Sequence, residues 1–491
     1  MNEVLPSLGG ALLFLLPGLG LAELIPVLRG LPLPRRLGYS FLLGLTAVAG
    51  ILYIGSHLFG LPLRRPAILA VAAVPVLAGA LRRGLTPSPG HPRGIGRADG
   101  EVFEEPPSQP RATPWVGRPR RRLPHRATVA LLAFISLGLL ADAVTSPVTG
   151  WDGRMIWSSQ ARYLRAAGTV DAEVLRDPRW YVNHPRYPLL LPVAQAAVLE
   201  VTGADEDRHV FRPIYAALFP ALLLILWDGA VRWAGAPAAR LAALAAAGAP
   251  AFTFWQDGGA ASAYSDLPLA CLTGAGLLLL LRSRRSLAGA LTAGVLLAGA
   301  ALTKNEGMLL SLLVPLAAAP LLLRRRDWRR QAARLLLAVV PSLLALAFLA
   351  SWRAGIPNRY DEGYASFVKL SAFWPGVITR IPELAPLAVR QMLAWDPWAA
   401  FWWIVPPALV TGWRGFFSIQ RRPLAVTLWL AAGAPLAIGW GAYSVHWDPA
   451  SLLPVTWTRF LLQGSLPLLL LLALALRDLV RRSRGLARNS H

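Results

Sequence analysis

Four short stretches of this 491-residue chain hold ionisable side chains in otherwise apolar surroundings. Trp151-Asp152-Gly153-Arg154 follows an apolar block, and Asp266 opens another, with Asp257 shortly before it. Thr303-Lys304-Asn305-Glu306-Gly307 interrupts two apolar blocks, and Arg459 follows Trp457-Thr458. A carboxylate in such a place can take a proton from a hydroxyl or amine. Lysine and arginine can hold a phosphate oxygen, arginine through its planar fork. Each residue also has a plainer reading. Asp152 and Asp266 suit helix N-termini, Lys304 and Glu306 could close a tight turn as an ion pair, and Arg459 could snorkel to lipid headgroups.

The elements that must position these residues are apolar helices. Hydrophobic residues make up 55% of the chain, charged residues only 15%, and the mean hydropathy is +0.47. A soluble domain carries about 25% charged residues. The apolar residues arrive in blocks of roughly 17 to 22, the length that crosses a bilayer core as a helix. The sequence therefore predicts an all-α polytopic integral membrane protein. About 13 spans are expected, near 5–27, 38–60, 67–82, 127–145, 209–231, 238–254, 264–282, 287–302, 308–323, 331–350, 397–413, 423–443 and 456–477.

The formal charge of +23 comes almost wholly from arginine, because Lys304 and Lys369 are the only lysines. The arginines cluster in short connections between apolar blocks, the positive-inside pattern, and no nucleic-acid partner is expected. Most basic residues fall on one side of an alternating chain, with Arg64 and Arg65 as exceptions. That side is assigned to the cytoplasm, so the N-terminus lies outside and the C-terminus inside. The single cysteine, Cys271, excludes an intramolecular disulfide framework. Without a basic region before the first apolar block, a cleaved signal peptide is not expected.

This reading divides the chain into a three-helix extension at 1–82, a Pro-, Gly- and Arg-rich disordered linker at 83–126, and a core at 127–350. The core includes an outer loop at 146–208. A second outer loop at 351–396, membrane helices at 397–477 and a basic tail at 478–491 complete it. Within the first outer loop, helical spacing from Asp152 puts Arg154, Ser158, Arg162 and Arg165 on one face. Ile156, Trp157, Tyr163 and Leu164 fall opposite, as in a helix lying in the membrane interface. Prolines around His184-Pro-Arg186-Tyr187-Pro fix a rigid turn that presents His184 and Arg186. No second histidine stands at metal-ligand spacing from His184.

The arrangement resembles the multi-spanning glycosyltransferases of the GT-C class, which include protein O-mannosyltransferases and lipid A aminoarabinose transferases. Trp-Asp-Gly-Arg-Met-Ile-Trp around Asp152, His-Pro-Arg-Tyr-Pro-Leu-Leu-Leu-Pro at 184–192, Ala-Tyr-Ser-Asp-Leu-Pro at 263–268 and Thr-Lys-Asn-Glu-Gly at 303–307 carry the resemblance. It covers roughly residues 127–477. It implies a membrane enzyme that moves a sugar from a polyprenyl-phosphate donor to a lipid, glycan or protein acceptor outside the cytoplasm, with inversion. Asp152 would be the catalytic base. Arg154, Arg162, His184, Arg186, Tyr187, Asp266, Lys304, Glu306 and Arg459 would bind substrate. No cofactor is required by any motif, and the resemblance leaves room for a divalent metal. The chain departs from the class pattern in its three extra spans and linker. It also has Gly153 where an acidic pair is usual, and no long soluble domain after the last span. A cell (inner) membrane location follows from the same reading. The alternatives are a transporter or lipid flippase built on Asp266 and the Lys304–Glu306 pair, or a structural membrane subunit.

Overall fold

The computed structural model describes residues 4–85, 123–204, 210–283, 286–323, 327–358, 370–416, 421–445 and 448–489. Among these residues the chain is helical with no strand, an all-α polytopic membrane protein. The helices are α1 (Val4–Leu24), α2 (Leu33–Phe59), α3 (Arg65–Leu85), α4 (Leu123–Thr145), α5 (Ser159–Ala167), α6 (Leu190–Thr202), α7 (Leu218–Ala234), α8 (Ala236–Ala247) and α9 (Asp266–Arg282). They continue with α10 (Leu287–Ala301), α11 (Asn305–Leu323), α12 (Trp328–Ala354), α13 (Leu370–Thr379), α14 (Ile381–Met392), α15 (Phe401–Phe416), α16 (Arg422–Val445), α17 (Pro449–Gln463) and α18 (Ser465–Asn489).

Every expected span coincides with a described helix. By length and composition 8 of them are long and apolar enough to cross a membrane, or 9 if the bent pair α17–α18 is one span. The others, α8, α9, α10 and α15, have 12, 17, 15 and 16 residues. The expected linker falls almost wholly outside the described residues. Its edges are helical, because α3 runs on to Leu85 and α4 begins at Leu123. The expected second outer loop is mostly helix where it is described, as α13 and α14 pack against α16 and α17. The basic tail continues α18 as far as Asn489.

Side-chain pairs fix which helix ends lie together. Glu23, Arg36 and Arg83 join the end of α1, the start of α2 and the end of α3. Asp228 of α7 meets Arg282 at the end of α9 and Arg35 on α2. Arg421 meets Asp478. These contacts mark an arginine-rich end of the bundle. At the other end, Arg212 grips Asp142 and the carbonyls of Ser146 and Ala261, and Asp266 opens α9. Sixteen steps of 1.5 Å separate Asp266 from Arg282, about 24 Å. All four chemistry-bearing stretches lie at this second, acidic end.

Candidate functional site

Asp266 is the centre of the acidic end, and its carboxylate is fully buried. The segment before it, 250–265, folds tightly. Ala263 takes a left-handed φ of +59°, a conformation that costs a residue with a Cβ and sets the direction of Tyr264, Ser265 and Asp266. Three donors converge on the carboxylate. Lys304 Nζ lies 2.8 Å and Gln463 Nε2 2.7 Å from Oδ1, and Arg459 Nε lies 2.9 Å from Oδ2. Arg459 and Gln463 reach it together because four residues along α17 bring side chains to the same face. α17 stops at Gly464, where the axis turns by 60° into α18.

The two cations each hold a second carboxylate. Lys304 Nζ is 3.1 Å from Glu306 Oε1, and Arg459 Nη1 is 2.8 Å from Asp152 Oδ2. Glu306, Lys304, Asp266, Arg459 and Asp152 therefore form one unbroken chain of ion pairs. Three carboxylates and two cations give these five side chains a formal charge of −3 + 2 = −1. An isolated buried charge would be prohibitive, and sharing each charge between two partners with good geometry is what makes the cluster tenable. The expected Lys304–Glu306 pair is thus present, as one link of a longer chain. Gly307 ends that motif against α10, where a Cβ would collide with the carbonyl of Ala300.

Asp152 is the accessible member, its side chain 18% exposed. It does not act as a helix cap: its backbone is already helical and its side chain makes no capping hydrogen bond. Its N–H donates to the Tyr264 hydroxyl at 3.1 Å, and that hydroxyl donates to Asp257 Oδ1 at 3.2 Å. The Arg459 guanidinium lies 5.0 Å from the centre of the Tyr264 ring, a cation–π contact. Gly153 lets the helix start press against this segment, since a Cβ there would come within 2.5 Å of the Ser262 carbonyl.

The expected arginine face needs one correction. Residues Gly153–Ser158 form a π-helical turn before α5, and the wider turn rotates the register. Ser158 is consequently buried and donates to the Gly153 carbonyl. Arg154 and Arg162 stay exposed, and among the described residues neither is paired with a carboxylate of the ion-pair chain. Arg165 turns aside to Glu200. Within α5, burial raises the Tyr163 hydroxyl pKa from its ordinary range.

His184, Arg186 and Tyr187 brace the site from the side. His184, at φ +48°, stacks on Tyr187 with ring centres 4.7 Å apart, and Tyr187 leans on Trp157 at 5.7 Å. Arg186 donates to the Ile356 carbonyl at 2.6 Å, and Arg353 of α12 donates to the Arg186 carbonyl at 2.8 Å and to Asn305. The Leu190 N–H bonds to the Leu302 carbonyl at 3.0 Å. The 184–192 motif is thereby docked on the 303–307 motif, with Asn305 facing Arg353 while Lys304 lies between Asp266 and Glu306. Asp142, ten residues before Asp152, is held by Arg212 at 2.6 Å.

Sequence reasoning missed Tyr264 and Gln463. Tyr264 stands two residues before Asp266, and Gln463 is four residues after Arg459; either spacing could have drawn attention to it. Among the described residues no group of three or more histidine, cysteine or acidic side chains is placed to hold a metal ion.

No family model and no curated protein matches the chain. Among solved structures, the chain is similar to the archaeal oligosaccharyltransferase AglB from Archaeoglobus fulgidus in complex with an inhibitory peptide and a dolichol-phosphate. The TM-score is 0.41 and the identity 14%, over 75% of this chain and 52% of that one. The chain thus spans about half the length of that protein.

Proposed function

We propose that the acidic end is the active site of a membrane glycosyltransferase that uses a polyprenyl-phosphate sugar and works on the non-cytoplasmic face. The observation that carries this reading is the Glu306–Lys304–Asp266–Arg459–Asp152 chain. It joins one reachable carboxylate to two cations through a buried pivot. Asp152 takes the acceptor's proton as the acceptor oxygen or nitrogen attacks the anomeric carbon. The bond from that carbon to the phosphate oxygen breaks, and the lipid phosphate departs with the bonding electrons. Lys304 and Arg459 stabilise the charge that develops there, exchanging a carboxylate contact for a phosphate one. The proton taken by Asp152 brings the five side chains from −1 to neutral. Asp266 and Gln463 keep the cations aimed, and the brace of His184, Arg186 and Tyr187 holds the segment that carries Lys304. Arg154 and Arg162, exposed on the helical segment that begins at Asp152, meet lipid headgroups or the approaching donor.

Direct displacement by an acceptor activated at Asp152 inverts the sugar. The test is the anomeric configuration of the product formed from a polyprenyl-phosphate sugar in proteoliposomes, read by NMR. Inversion is expected; a retained configuration would mean a covalent glycosyl-enzyme intermediate and overturn the assignment of Asp152.

One observation favours a second reading, a transporter or flippase. α17 and α18 are a span broken beside Arg459, and broken helices mark binding sites in transporters. Movement of the intact lipid-linked sugar across a vesicle membrane, with no transfer, would select that reading.

A further inference from the structure

A second cluster of reactive side chains lies at the acidic end, apart from the ion-pair chain. His57, near the end of α2, has Nδ1 3.0 Å and 3.2 Å from the two carboxylate oxygens of Asp171. Its Nε2 lies 3.4 Å from the Ser351 hydroxyl on α12. The carboxylate at Nδ1 selects the tautomer with the proton there, which leaves Nε2 as the acceptor for the serine proton. Three separate elements contribute one residue each, and all three are fixed. Ser56 takes the Val170 N–H at 3.2 Å, Trp352 Nε1 donates to the Val170 carbonyl at 3.4 Å, and Arg176 stands 3.8 Å from Asp171.

The Ser351 hydroxyl, like that of Ser56, is turned to a group outside its own helix. Ser136 and Ser444, likewise within helices, donate to carbonyls four residues back. The Ser351 hydroxyl instead points to His57. Ser351 is exposed, and Leu58 and Phe59 beside His57 leave apolar surface open, Phe59 being 82% exposed.

We propose that Ser351, His57 and Asp171 form a second reactive site: a serine nucleophile with a histidine base, which takes carboxylic esters of lipids at the membrane–water boundary. The roles follow from geometry, as in serine hydrolases on unrelated folds. His57 Nε2 takes the Ser351 proton while Oγ bonds to the ester carbonyl carbon. The ester C–O bond breaks, and His57 gives its proton to the departing alkoxide. Water from the interface then cleaves the acyl-serine by the same proton route, releasing the acid and restoring the serine. The apolar surface at Leu58 and Phe59 receives the acyl chain, and Asp171 keeps the imidazole oriented.

The test uses the full chain in lipid nanodiscs and an alkyl fluorophosphonate, with the labelled peptide mapped by mass spectrometry. Covalent labelling at Ser351 is expected, lost in heat-unfolded protein, and slowed by roughly a hundredfold or more in His57→Gln. Ser351→Ala should lose that label while keeping the helical circular dichroism of the parent chain. Absence of label at Ser351 in the folded chain would overturn the proposal. So would labelling of folded His57→Gln at the parental rate, because the serine would then be reacting without its base.

Discussion

The two ends of α9 solve the same problem in opposite ways. At Asp228 one buried carboxylate is surrounded by partners that keep water contact, Arg282 and Arg35 with side chains 20% and 29% exposed, and by the Tyr39 hydroxyl. Each arginine there can be solvated if the pair opens. At Asp266 the carboxylate and both its cations are buried, and the charge is passed on to Glu306 and Asp152. The first arrangement anchors helix ends in an arginine-rich surface, the pattern expected of a cytoplasmic face. The second holds charges that stability alone does not require, since apolar replacements of a buried ion cluster are often as stable. Charge kept at such cost is the physical ground for proposing the active site at this end and not at the other.

Three substitutions bear on that contrast. Asp266→Ala removes the buried pivot shared by Lys304, Arg459 and Gln463 and leaves each cation a single carboxylate, with an expected loss of about 3–5 kcal/mol, read by thermal unfolding in detergent, and no transfer. A shift no larger than that of Asp228→Asn would erase the distinction between the ends. Tyr264→Phe removes the hydroxyl between the Asp152 N–H and Asp257, and should cost about 1–3 kcal/mol for the groups left unpaired. It should also slow transfer by roughly tenfold through misplacement of Asp152, with donor KM nearly unchanged. An unchanged rate would make Tyr264 a packing residue only.

The smallest effect is expected at Asp448, which caps α17 by accepting the Ser451 N–H at 3.1 Å. Its hydrogen bonds with Ser451 hold its carboxyl below the ordinary range. The folded-state value is depressed, so this stabilisation is present above the unfolded value and fades as pH falls through the folded one. Asp448→Asn should flatten the acid side of a Tm-against-pH profile slightly; an identical profile would remove Asp448 from the account of how α17 is set.

Much of this was legible in the sequence, for identifiable reasons. The class, the helices at the expected spans and the gathering of Asp152, Asp266, Lys304 and Arg459 at one end follow from block length and alternation, which need no tertiary information. The π turn at Gly153–Ser158 was not legible, because an inserted residue in a helix leaves no compositional mark, and so Ser158 was placed with the arginines. Arg186 was expected at substrate, yet its guanidinium serves carbonyls at the end of α12, a pairing 170 residues apart in sequence. Tyr264 and Gln463 stand at suggestive spacings from Asp266 and Arg459, but their partners, the Asp152 N–H and Asp257 for Tyr264 and the Asp266 carboxylate for Gln463, come from distant segments or a buried group. The helical character of 370–398 was obscured by prolines, which start α14 and sit within α13 and α14.

The most direct measurement is the transfer rate of Asp152→Asn beside Asp228→Asn in the same nanodiscs, with a polyprenyl-phosphate sugar at saturation. Removing the base should slow transfer by roughly 10²–10⁴, while Asp228→Asn stays within about twofold, as expected of a substitution remote from the chemistry. Parental transfer by folded Asp152→Asn would contradict the central claim.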